Sequence, residues 1–171
     1  ALHYGWTDNK INYRQSAGNS DAVSSETLAA DAWHHVAVTR TGSTGDWVIK
    51  LYLNGSLDST TSSISTNPET PSGGHFSIGR LGSYDGQYMN GNIDEVAVFN
   101  AEKTIGDLRD GSKPADLTGM SNLQGWWRMG DGTEGASGTT IYDMSDNSNN
   151  GTWNGASGGD NTSINYTTDV P

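Results

Sequence analysis

The sequence predicts an all-β protein, an antiparallel β-sandwich with one short helix near 104–110. Three observations lead there. Residues 33–40, 51–55, 76–80 and 91–100 are short runs rich in β-branched and aromatic residues, set apart by clusters of Gly, Asn and Ser. Charged residues make up only 17% of the chain, which excludes the highly charged disordered class. Six Trp and seven Tyr supply large apolar area from few positions, so a chain with 23 Gly still has the means to build a core.

Taken in order, residues 2–7 and 11–15 read as paired strands around Asp8-Asn9-Lys10, a turn that Asp and Asn side chains favour by bonding local amides. Residues 17–31 are a connection of small residues. The run 32–40 alternates as a strand, with Trp33, His35, Ala37 and Thr39 on one face and His34, Val36 and Val38 on the other. The next strand, 46–54, puts Trp47, Ile49, Leu51 and Leu53 on one face and Val48, Lys50 and Tyr52 on the opposite one. Asn54-Gly55 supplies the positive φ angles of a type I′ hairpin. Residues 58–75 read as a polar loop, 76–81 as a strand, 82–91 as a Gly/Tyr loop and 92–99 as a strand. Between 101 and 110, Thr104 as N-cap, Ile105 and Leu108 three apart and Gly111 as a left-handed end predict one or two helical turns. A connector (112–124) leads to a strand at 125–129, and the tail carries strand signals at 139–143, 151–153 and 162–167. The expected core is Trp33, Val36, Val38, Leu51, Leu53, Ile78, Val96 and Phe99.

A length of 171 residues suits one domain. Twenty acids against nine bases give a net charge of −11, and the bases never cluster, which excludes the counter-ion displacement that nucleic-acid binding needs. No apolar run approaches a membrane span. Cysteine is absent, which removes disulfides, thiolate metal sites and cysteine catalysis. Position 1 is Ala rather than Met, as expected of a processed chain or a piece of a longer one.

Four motifs in fixed order carry a family resemblance: Trp33-His34-His35-Val36-Ala37-Val38-Thr39, Leu51-Tyr52-Leu53-Asn54-Gly55, Phe76-Ser77-Ile78-Gly79-Arg80 and Ile93-Asp94-Glu95-Val96. Across residues 31–100 the chain resembles the laminin-G-like group of the concanavalin A-like lectin/glucanase superfamily. The resemblance implies a jelly-roll sandwich and a surface that holds something. The run 126–131 and the Asp/Asn/Gly-rich run 142–152 resemble the strand and loop that open such a domain, yet they stand at the C-terminal end. Residues 1–124 are therefore expected to be the sandwich core, lacking its N-terminal strands, and 125–171 a strand and tail that complete it or pair with a neighbour. Trp126 and Trp127 would lie on opposite faces of that strand, one in a core and the other outside or against a partner.

Candidate chemistry is sparse. His34 and His35, adjacent on a strand, point to opposite faces and cannot chelate one metal; one ring is expected to be buried and hydrogen-bonded. Asp94-Glu95 invites comparison with the superfamily's glucanases, which use two carboxylates two residues apart on one face, but Glu95 is flanked on its face by Ile93 and Ala97. Residues 130–135 match G-x-G-x-x-G by letter without a helix to follow, so they read as a loop. In 143–151, Asp143, Asp146 and Asn149 offer oxygen ligands suited to Ca²⁺, while the same residues also favour a self-bonded turn. In 82–90, Tyr84, Asp85, Tyr88 and Asn90 combine aromatic faces with polar groups, as a ligand site would; exposed Tyr can equally pack on another subunit.

The expected function is a non-catalytic recognition or adhesion domain of an extracellular, cell-surface or virion assembly, binding glycans or protein partners. The alternatives are a purely structural domain of a virion appendage or surface filament, self-associating through an edge strand, and, more weakly supported, a glycan hydrolase. No nucleic-acid partner and no membrane span are expected.

Overall fold

A computed structural model describes residues 2–5, 8–15, 21–68, 76–80, 89–129, 136–137 and 139–153. The chain forms two compact units, one of residues 1–82 with 102–109 and the other of 83–101 with 110–171.

The first unit is a two-layer antiparallel sandwich. Leu2–Tyr4 (β1), Ile11–Tyr13 (β2) and Ala22–Val23 (β3) make one sheet. Val36–Ser43 (β4), Asp46–Leu53 (β5) and Ser56–Ile64 (β6) make the other, with β5 in the centre. Two of the strand connections have clear turn chemistry. Asn9 and Asn54 sit at φ +52 and +50, the left-handed region that Asn tolerates, and the Lys10 amide donates to Asp8 Oδ1 at 3.1 Å. The expected Asn54-Gly55 hairpin is present, with Gly55 at φ +86.

Alternation along β5 sends Ile49, Leu51 and Leu53 inward, where they meet Ile11 and Ala22 of the facing sheet. Val36, Val38, Tyr13, Leu28 and Ile64 pack around this cluster. Each such side chain removed from water contributes on the order of 1.5–3 kcal/mol. At the end of the core-facing row the Arg40 guanidinium lies 4.8 Å from the Trp47 ring centre, and the Trp47 indole N–H donates to Asn67 Oδ1 at 3.1 Å. Burial raises the pKa of Tyr13, which Arg40 beside it offsets in part.

The second unit is held by Val96–Phe99 (β7) paired with Leu123–Trp127, while Ala136–Ser137, Thr140–Ile141 and Gly151–Thr152 form a small antiparallel sheet. Arg109–Asp110 (β8) and Lys113–Pro114 (β9) are two-residue strands on either side of Gly111, which sits at φ +63; Leu123–Trp127 is accordingly β10, and the last three strands are β11, β12 and β13.

Several expectations are corrected. β4 begins at Val36, so Trp33, His34 and His35 precede the strand, and the opposite-face argument for the two histidines does not apply. The ring that bonds is His34, whose Nε2 lies 3.0 Å from the Ala29 carbonyl; His35 is half-buried with its Nδ1 unpartnered. Residues 56–64 are a strand rather than a loop: the hairpin turn commits them to pair with β5, and an edge strand can be built from Ser and Thr because one flank faces water. Residues 92–95 are not strand, since Glu95 adopts φ +52 just before β7. The expected helix is a single 3₁₀ turn, Ile105–Leu108, and Thr104 makes no side-chain capping bond to it. Of the expected core, Leu51 and Leu53 are buried while Trp33, Val36, Val38, Ile78, Val96 and Phe99 are only half-buried.

Residues 125–127 do pair as a strand, with β7 of the same unit. Both indoles are buried, at 4% and 7% exposure, rather than one of them. Gly125 makes this possible, since a Cβ there would collide with the Trp127 ring.

Candidate functional site

The outer face of β5 lines a groove in the first unit. The alternation that buries Ile49, Leu51 and Leu53 turns Val48, Lys50 and Tyr52 the other way. Register adds Ala37 opposite Tyr52 and Thr39 opposite Lys50. Residues 102–108 return over this face. Glu102 Oε1 accepts the Thr39 hydroxyl at 3.1 Å and pairs with Lys50 Nζ at 3.5 Å. Ile105 is buried, and the Asp107 amide closes the turn on the Thr104 carbonyl at 2.9 Å. A cavity of about 500 Å³ remains, lined by Tyr52, Gly55 and residues 102–106.

One end of the groove is tied to the hairpin. The Asn54 amide donates to the His35 carbonyl at 2.8 Å, and the His35 amide donates to Asn54 Oδ1 at 3.1 Å. The Arg109 guanidinium lies where a side chain at 55 would be. Burial first, and then the Arg109 charge, holds the pKa of His35 below its ordinary value.

In the second unit Asp94, Glu95 and Asp143 are committed to structure. Glu95 Oε2 accepts the Trp126 indole N–H at 2.6 Å, and Oε1 accepts Arg128 Nε at 3.0 Å. The Arg128 guanidinium sits 5.6 Å from the Trp126 ring centre. Asp94 Oδ1 accepts the Glu95 amide at 2.9 Å. A carboxylate holding two donors, one of them a cation, is poorly disposed to protonate or attack a glycosidic bond, whichever face it occupies.

Asp143 is buried, and its two oxygens take four donors: the Trp126 and Ser145 amides on Oδ1, the Ser145 hydroxyl and Asn149 amide on Oδ2, at 2.8–2.9 Å. Burial pushes its pKa up, and these hydrogen bonds outweigh that, leaving it below the usual carboxylate value. Asp146 and Asn149 are exposed, and Asn149 Nδ2 donates to the Gln124 carbonyl at 2.8 Å. A cation at Asp143 would have to displace the protein's own donors. Among the described residues, no group of three or more His, Asp or Glu side chains is placed to hold a metal.

Of the loop expected to bind ligand, Tyr84, Asp85 and Tyr88 lie outside the described residues, as do residues 130–135 and 162–167; Asn90 is exposed. The groove residues that sequence reasoning missed are Tyr52 and Glu102. The alternation already set Tyr52 beside Lys50 on the outer face, but reading 101–110 as a helix hid the extended stretch that carries Glu102.

Among comparisons with known proteins, a laminin-G family model described as the concanavalin A-like lectin/glucanases superfamily matches residues 1–107. No curated protein and no solved structure matches the chain.

Proposed function

The chain belongs to the concanavalin A-like lectin/glucanase superfamily, and from that premise we propose that it is a non-catalytic recognition domain that binds glycans or partner proteins at a cell or virion surface. The single observation that carries this reading is the groove on the outer face of β5, where an aromatic ring, a fixed carboxylate and open backbone converge, with no second carboxylate paired to it among the described residues that line it. Glu95, the one residue with glucanase resemblance, supports the non-catalytic reading because both of its oxygens are engaged. No helix among the described residues is long and apolar enough to cross a membrane.

The test has two arms. Binding of the full chain to a glycan array should be measurable, and incubation with a polysaccharide panel should release no reducing sugar. Turnover abolished by Glu95→Gln would replace recognition with hydrolysis.

A second reading, assembly through a sheet edge, is favoured by β6: nine residues long, it pairs only with β5 among the described strands. Its test is the solution mass across a concentration series, which rises under that reading and stays that of one chain otherwise.

A further inference from the structure

We propose that the groove between Tyr52 and residues 102–106 is a saccharide site that selects an uncharged sugar unit. The inference rests on the recognition reading above, which already points to this groove, and adds to it a ligand class and a charge preference. Tyr52 is half-buried on the outer face of β5, with Ala37 beside it on β4 and the exposed Leu57 on β6, so the β4 flank of the ring carries no bulky side chain. Such a ring presents an apolar body with a polar tip, which suits the C–H face and the hydroxyl rim of a pyranose.

Opposite the ring, Glu102 is held by the Thr39 hydroxyl and by Lys50, so its acceptor oxygens are oriented before any ligand arrives. Thr104 does not cap the turn that follows it. At Gly106 an added Cβ would meet nothing within 4 Å, so the wall is open there. A volume of about 500 Å³ falls in the range of small-molecule sites.

Charge decides the class. Glu102 is paired with Lys50, and Lys103, which also lines the groove, makes an interaction of its own. A charged ligand entering this groove would lose water and gain no unpaired counter-charge, whereas hydroxyl groups exchange hydrogen bonds with the acceptors already in place.

The experiment titrates the full chain with maltose, cellobiose and lactose, and in parallel with a glucuronate-terminated disaccharide, following ligand signals by saturation-transfer NMR. The neutral sugars should bind and the glucuronate sugar should bind at least about tenfold more weakly, about 1.4 kcal/mol. Tyr52→Ala should weaken the neutral sugars about tenfold, while Tyr52→Phe, which keeps the ring, should retain them. Gly106→Phe fills the groove from the opposite wall without touching the core and should abolish binding; it keeps the site testable should Tyr52→Ala unfold. Sugar binding indifferent to both Tyr52→Ala and Gly106→Phe would overturn this location and leave glycan recognition standing elsewhere on the chain. Equal binding of the glucuronate sugar would overturn the charge preference. If the parent bound no sugar here and none on the array, the location and glycan recognition would both fall.

Discussion

The two units solve the same problem, burying apolar surface in a glycine-rich chain, by different means. In the first, five aliphatic or small side chains from two facing sheets meet, with Ile49 and Leu51 fully enclosed. In the second, adjacent tryptophans are sunk on opposite faces of one short strand, and each indole N–H needs its own acceptor: Glu95 for Trp126 and the Asn149 carbonyl for Trp127. Aliphatic packing is forgiving of exact position; indole packing is tied to particular polar atoms. The second unit should therefore be the more brittle to polar substitution, and the first to loss of volume.

The largest expected effect is that of Trp126→Ala, which removes the ring and leaves Glu95 Oε2 without its indole donor. It should cost about 3–5 kcal/mol in chemical denaturation; a loss under about 1 kcal/mol would mean that the ring is not the centre of its unit. Leu51→Ala should cost about 2–5 kcal/mol by the cavity it opens, with hydrogen exchange accelerating first at β4–β6. Asp143→Asn keeps the shape but turns an amide donor towards groups that themselves donate, and should cost about 1–3 kcal/mol. Added Ca²⁺ should leave the melting temperature of the parent unchanged, since the Asp143 oxygens are already filled; a rise with Ca²⁺ that chelator reverses would show that the loop opens to bind it.

Acid separates the units further. His3 and His35 both lie in the first, and burial is the first cause that lowers each below the ordinary value of about 6.5. The unfolded chain then binds more protons than the folded one just below that pH, so their contribution is fully present above about 6.5 and is lost as pH falls from there through the lowered values. Asp143 in the second unit, also lowered, contributes above about 3.9 and loses that contribution only as pH falls further, through its folded value. Exchange protection in β4–β6 should decline as the pH falls below about 6.5, before any decline at β7 and β10. The smallest effect belongs to the Lys50–Glu102 pair, with side chains 35% and 40% exposed: Lys50→Met should change stability by about 0–1 kcal/mol.

The comparison also shows what could be read before the structure was known. The β5 strand and its hairpin were legible because alternation and Asn-Gly chemistry are local and agree with each other. The family motifs, likewise local, marked the sandwich. β6 was missed because Ser-Thr sequence looks like loop unless the preceding turn is allowed to commit it. The 3₁₀ turn was taken for a helix because apolar spacing of three fits both. The groove was illegible because it joins Tyr52 to Glu102, fifty residues on, through an ion pair that no spacing rule encodes. The Asp143 loop was half legible: its oxygens and a self-bonded turn were recognised, but not that the amide of Trp126, seventeen residues earlier, would be among the donors.

Gly55 carries a consequence for how such a chain can change over time. It adopts φ +86, which glycine takes without strain, and an added side chain would meet the tip of the flexible Arg109 side chain, which can swing aside. The two demands on this position differ in rigidity: the turn fixes the backbone angle, whereas a rotamer change at 109 yields the space. Among descendants of this sequence a larger residue at 55 should therefore come with a repositioned or shorter side chain at 109, more than fifty positions away.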